Sequence, residues 1–173
     1  FETYRTPFGT PPFDQIETEQ YEPAFDEGIW QLDEEVRAIA DNTELPTFEN
    51  TIIALERSGK LLDKVISAFF NVLNAEADDE MMDISQRVSP KLSESSNNIY
   101  LNEQLFARVK SVYDRKDELH LPMEDARLLE KTFEAFCARG AALGPEEKEK
   151  YRKLSSELSL LSLKFDQNAL KAK

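Results

Sequence analysis

Chemistry in this chain has few side chains to draw on. There is one histidine, His120, and one cysteine, Cys137. A histidine acting as general base needs a partner and a pocket. His120 lies in a polar connection, Asp117 to Pro122, where an exposed loop imidazole is expected. A zinc-binding H-E-x-x-H helix needs two histidines one turn apart, so this sequence cannot contain one. A cysteine nucleophile would need an imidazole beside it, and His120 is the only candidate. Cys137 falls at helical spacing from Phe133, which predicts a buried, inert thiol.

Carboxylates are abundant but unspecific. Glu34 and Glu35 fall on the outer side of a predicted helix, and Asp78, Asp79 and Glu80 cluster at a helix start. Solvated faces and caps account for both groups. A glycosidase-type pair is defined in space rather than by spacing along the chain. There is no glycine-rich phosphate loop and no interleaving of basic and aromatic residues suited to a nucleic-acid groove. On residue chemistry alone, no catalytic, cofactor-binding or metal-ligating residue is assigned.

The elements that must hold these residues read as helices. The chain has 173 residues, 40% apolar and 32% charged, with 11 Phe among them, which suits a packed core rather than disorder. Gly is scarce, at 5, and 4 of the 8 Pro fall within the first 23 residues, so long stretches are free of breakers. Acidic residues number 34 and basic residues 21, a formal charge of −13. Such a surface repels phosphate backbones and anionic lipid, so neither nucleic acid nor membrane is expected as a partner. No apolar run approaches the roughly 20 residues of a membrane span. A lone cysteine allows no intramolecular disulfide. The sequence opens at Phe1 without a signal peptide, and a removed leader fits that opening as well as trimming does.

Residues 1–18 are expected to form an extended arm, interrupted by Pro7, Gly9, Pro11 and Pro12, that packs along the helices through Tyr4, Phe8, Phe13 and Ile16. Residues 19–173 form the helical domain. Phe25, Ile29, Leu32, Val36 and Ile39 line one face of a helix from Pro23 to Asp41. Asn42 to Pro46 reads as a turn, and Thr47 as the N-cap of a helix carrying Phe48, Ile52 and Leu55, with a break at Ser58 and Gly59. Further helices follow through Leu62 to Leu73, and from Asp78 and Asp79 through Val88, with Pro90 bending the latter without ending it. Asn102 caps a segment with Leu105, Val109 and Val112, and Leu128 to Cys137 mark another. Gly140, Gly144 and Pro145 stop one helix and start the last, whose seam is Tyr151, Leu154, Leu158, Leu161 and Phe165. That seam is too short for a free coiled coil and predicts a bundle helix. Nothing after Lys171 stops it, which suggests a longer natural chain. No alternating β-branched run and no fixed-period repeat is present. The fold class is all-α, a multi-helix bundle of about six to seven helices with an N-terminal arm.

Several stretches carry a resemblance. They are Thr6-Pro7-Phe8-Gly9-Thr10-Pro11-Pro12-Phe13 leading into Tyr21-Glu22-Pro23-Ala24-Phe25-Asp26-Glu27-Gly28, then Pro46-Thr47-Phe48-Glu49-Asn50-Thr51-Ile52, then Ala54-Leu55-Glu56-Arg57-Ser58-Gly59. Phe69-Phe70-Asn71, Ile99-Tyr100-Leu101-Asn102-Glu103, Leu105-Phe106-Ala107-Arg108-Val109 and Phe165-Asp166-Gln167-Asn168 follow in order. Together they resemble the N-terminal half of peptidyl-dipeptidases of the thimet oligopeptidase family, a family of zinc metallopeptidases. The Ser-Gly junction, the double Phe and the Tyr-Leu-Asn segment resemble the peptidyl-dipeptidase branch more than the oligopeptidase A branch.

The resemblance implies a longer parent enzyme with zinc held by two His of an H-E-x-x-H helix and a later Glu. All of these residues belong to the C-terminal part, and none has a counterpart here. The cofactor is therefore zinc in the full-length parent and none in this chain. The implied partners are an oligopeptide substrate and the C-terminal catalytic part of the same polypeptide. The implied role is part of a channel wall that admits short unfolded peptides, from which C-terminal dipeptides are released, in a cytoplasmic enzyme or an exported, periplasmic one with its leader removed. The other readings are a self-standing helical interaction module and the same domain of an oligopeptidase A-like endopeptidase. A chain that packs against a missing half should also dimerise or carry an exposed apolar patch.

Overall fold

The computed structural model describes residues 6, 9–76 and 78–171. Every regular element among them is helical, as expected. The helices are α1 (Tyr21–Ala40), α2 (Ala54–Arg57), α3 (Lys60–Glu76), α4 (Asp79–Tyr100), α5 (Glu103–Tyr113), α6 (Met123–Ala138) and α7 (Pro145–Lys171). No helix among the described residues is long and apolar enough to cross a membrane. Two compact units form, each from separated stretches. Of the described residues, the first takes those within 1–32, 59–93 and 155–173, and the second takes 33–58 and 94–154.

The arm is less extended than the prolines suggest. Tyr4 and Phe8 lie outside the described residues. Short 3-10 turns occupy Phe13–Gln15 and Thr18–Gln20. Proline fixes φ near the value such a turn uses, so Pro11 and Pro12 lead into the first turn rather than preventing it. Ile16 packs against the core of the first unit, whereas Phe13 stays largely exposed.

Edge-to-face aromatic contacts organise the first unit. Phe69 of α3 meets Tyr21 and Phe25 of α1 with ring centroids 5.1 and 5.3 Å apart, and Phe70 at 5.2 Å. Such pairs add to the burial of the rings themselves. Val65, Ala68, Met81, Ile84 and Val88 complete the core. Helices α1 and α3 approach closely at Gly28, where a Cβ would stand 3.0 Å from the Leu62 Cα. Asp78 caps α4 by accepting the Met81 N–H at 2.8 Å, and α4 then runs through Pro90 without ending.

The second unit is built around a charged side chain. Arg108 of α5 is only 7% exposed. Its spacing with Leu105, Val109 and Val112 puts it on the buried face of the helix. The guanidinium donates to the carbonyls of Asn42 and Glu44 at 2.5 and 3.0 Å, and to Asn50 Oδ1 at 3.1 Å. Arg115, two turns on, donates to the Pro46 carbonyl. Asn50 Nδ2 donates to the Leu45 carbonyl at 3.0 Å. The Asn42, Glu44, Leu45 and Pro46 carbonyls of the turn between α1 and the next helix thus take donors from Arg108, Asn50 and Arg115.

Thr47 is the N-cap, as expected. Its Oγ1 accepts the Asn50 N–H at 3.1 Å, and Asn50 Oδ1 accepts the Thr47 N–H at 2.8 Å. A π-helical turn, Phe48–Ile53, follows in place of the α-helix that the apolar spacing suggests, and the Ala54 N–H reaches back five residues to the Glu49 carbonyl. Phe48, Thr51 and Ile52 are all buried by this wider turn, and Leu55 is only half-buried. Asn102 caps α5 through the Leu105 N–H at 2.9 Å. Stacked rings join α5 to α6, with Tyr113 and Phe133 3.9 Å apart and Phe106 6.0 Å from both Phe133 and Phe136. A Schellman closure ends α6, with Gly140 at φ 87° and the Ala141 N–H bonded to the Phe136 carbonyl.

Helix α7 departs from the bundle-helix expectation. From Leu154 onward its seam faces outward, with Leu154, Leu158, Leu161 and Phe165 exposed by 56, 64, 63 and 73%. The half-buried positions are Tyr151, the first residue of the expected seam, with Arg152, Ser155, Ser156, Ser159 and Leu163, a mostly polar set centred on a different side of the helix from the exposed leucines.

Because Arg108 meets only neutral oxygens, its removal should take a charged donor from the part-buried Asn42 and Glu44 carbonyls and from the Asn50 amide oxygen at once. Arg108→Ala in the 173-residue chain is expected to lose about 2–4 kcal/mol of unfolding free energy in urea. Arg108→Lys should recover less than half, because an ammonium cannot reproduce the planar fork. A loss below about 0.5 kcal/mol in Arg108→Ala would contradict this role.

Candidate functional site

The residues singled out for chemistry stand apart. His120 is exposed in the turn between α5 and α6, in the left-handed region at φ 47°. Cys137 is exposed, which corrects the expectation of a buried thiol. It follows Phe136, the buried residue of that turn, so it sits about 100° round the helix from the covered side. Phe133, one turn earlier, is itself only half-buried and gives the thiol no cover.

Glu34 and Glu35 are exposed, and Glu34 pairs with Arg37. Asp78 caps α4, while Asp79 and Glu80 are exposed in its first turn. Among the described residues, no three His, Cys, Asp or Glu side chains group so as to hold a metal ion.

A surface cleft is present in each unit. In the first, of about 680 Å³, Glu19, Glu22, Asp26, Glu27, Glu80 and Arg87 line the walls. Two of its carboxylates are neutralised from α4. Arg87 Nε lies 2.9 Å from Glu22, and Lys91 Nζ lies 2.6 Å from Asp26 and 3.6 Å from Glu22. In the second unit, a cleft of about 320 Å³ is lined by Asp33, Arg37, Asp41, Asn98, Asn102 and Gln104, among others. Neither is lined by His, Cys, Ser, Thr or Tyr, so neither can pair a nucleophile with an imidazole base.

Titration is displaced at surface pairs. The hydrogen bond to Asp26 holds the Lys91 ammonium above its ordinary value, partial burial opposes this, and the charges of Asp26 and Glu22 add to it. The Tyr113 hydroxyl raises Lys116, and the Lys131 hydrogen bond lowers Glu134. Lys91 and Asp26 join α4 to α1, whereas Lys116–Tyr113 and Lys131–Glu134 are local pairs three residues apart.

No family model matches the chain. It is 43% identical over 166 residues to a dipeptidyl carboxypeptidase of Escherichia coli and 40% identical over 166 residues to one of Salmonella typhimurium. It is 23% identical over 167 residues to oligopeptidase A of Escherichia coli. These alignments cover 96% of this chain but only 24 to 25% of the relatives. The chain therefore spans about a quarter of the length of the curated relatives it matches, and it is homologous to the N-terminal region of dipeptidyl carboxypeptidase.

The raised Lys91 value has a definite sign in stability. The contribution is fully present below the ordinary lysine pKa of about 10.4 and is lost as pH rises through the higher folded value. The pair is well exposed, so the effect is small, about 0.2–1 kcal/mol. Lys91→Met is expected to lower the melting temperature by about 1–3 °C at pH 7 to 9, with the gap closing above about pH 11. A gap that widens with pH would contradict the assignment.

Proposed function

We propose that this chain is the N-terminal part of a longer zinc metallopeptidase of the thimet oligopeptidase family that releases dipeptides from free C-termini of oligopeptides. The observation that carries the reading is the contrast in identity. The match is 43% to a dipeptidyl carboxypeptidase and 23% to oligopeptidase A, over almost the same stretch.

Zinc would belong to the remaining three quarters of such a protein. A sequence with one histidine and one cysteine does not fit the site, and no step of the hydrolysis is assigned to these residues. What this chain supplies is shape. Its helices form part of the wall of a channel that admits a single unfolded strand and excludes folded proteins by size. Two features support that role. The aromatic cluster of Tyr21, Phe25, Phe69 and Phe70 stiffens one unit, and the Arg108 clamp fixes the turn of the other. A wall that discriminates by width must resist deformation, and close-packed interiors do. The compartment proposed is the cytoplasm.

The test uses the full-length parent with matched peptides whose C-termini are free or amidated. Stepwise dipeptide release from the free acids, and none from the amides, is the expected result. Cleavage of amidated peptides at internal bonds would replace this reading with an oligopeptidase A-like endopeptidase.

A further inference from the structure

Helix α7 turns its polar side inward and its apolar side out. Taking about 100° per residue, Leu154, Leu158, Leu161 and Phe165 fall within an arc of about 60°. The half-buried set of Tyr151, Arg152, Ser155, Ser156, Ser159 and Leu163 is centred roughly 130° away. A helix satisfied by its own chain would bury the leucines and leave the serines to water. Large exposed side chains in a row, each more than half accessible, make a face that water solvates at a cost.

We propose that this stripe, with Leu158, Leu161 and Phe165 at its centre, is the docking face for the C-terminal part of the same polypeptide. This rests on the reading above, that such a part exists. Two observations select it over a second copy. The apolar repeat extends barely two heptads, and self-sufficient coiled-coil seams run to three or four. Two copies each carrying a net charge of −13 also repel, whereas a covalently continuous partner meets the stripe at high effective concentration. The relatives provide the length for such a partner, since the matching region is only 24% of the dipeptidyl carboxypeptidase of Escherichia coli. The occupant is thus an apolar surface of the downstream chain, matching a leucine-phenylalanine ridge of about three helical turns.

The experiment places a photo-crosslinking amino acid at residue 161 of the full-length parent and maps the products by mass spectrometry. Crosslinks within one polypeptide to residues beyond 173 are expected, with loss of most of that yield in Leu158→Glu. In a second arm, amide exchange over residues 154–165 should be slower in the full-length protein by on the order of tenfold or more than in the 173-residue chain. Crosslinked dimers would assign the face to a second copy and overturn the proposal. A stripe that exchanges equally fast in both proteins, without crosslinks, would overturn it as well. Peptide hydrolysis measured on the same unmodified preparation separates the two ideas. An active enzyme with an uncovered stripe refutes only the docking, and a covered stripe in a protein without peptidase activity refutes only the function.

Discussion

Arg108 carries a charge into the second unit and finds only neutral oxygens there. Burying an ion this way costs several kcal/mol unless its hydrogen bonds are made, and here Nη1 and Nη2 make theirs mostly to one turn, while Nε is buried without a partner among the described residues. The trade runs both ways. The guanidinium replaces its lost water with carbonyls, and the carbonyls of Asn42 and Glu44 gain a charged donor. Asn50 sits at the centre, capping Thr47, accepting from Arg108 and Thr51 and donating to Leu45. The direction of the chain after α1 follows from that knot, and so does the placing of Phe48 and Ile52 in the core.

The caps were readable from sequence because capping is local chemistry. Thr47, Asp78 and Asn102 each precede an apolar periodic run, and each accepts a backbone N–H two or three residues on. Gly140 was readable for the same reason. Tertiary effects were harder. Arg108 reads as a surface charge until its spacing from Leu105 and Val112 is counted, and that count was the available signal. The π-helical turn after Thr47 leaves no mark in the apolar pattern. The exposure of Cys137 and of the α7 leucines is hidden from the sequence for one reason. Helical spacing says which residues share a face, but not whether anything covers it.

Those segments that resemble the peptidase family turn out to do structural work. Pro46 to Ile52 is the Arg108 knot, Phe69 and Phe70 are the aromatic cluster, and Tyr100 to Asn102 combines a ring contact with Phe136, a buried Leu101 and a cap. This explains why the candidate site was so little legible. What identifies the chain is how it packs, and the two clefts described above hold carboxylates, amides and arginines without a nucleophile. A scaffold can be specific in sequence while carrying none of the reacting groups, because close packing restricts residue choice as strongly as chemistry does.

The interleaving of the two units has a consequence for birth on the ribosome. Residues 1–32 emerge first, yet their partners in the same unit begin only at residue 59, and a third stretch begins at 155. Tyr21 and Phe25 must therefore wait for Phe69 while the opening stretch of the other unit is synthesised between them. At roughly 5–20 residues per second, that interval lasts seconds, long enough for a nascent amphipathic helix to meet a chaperone. The second unit can close once residue 154 is out, before the first receives its last segment. Vectorial synthesis thus favours completion of the second unit ahead of the first.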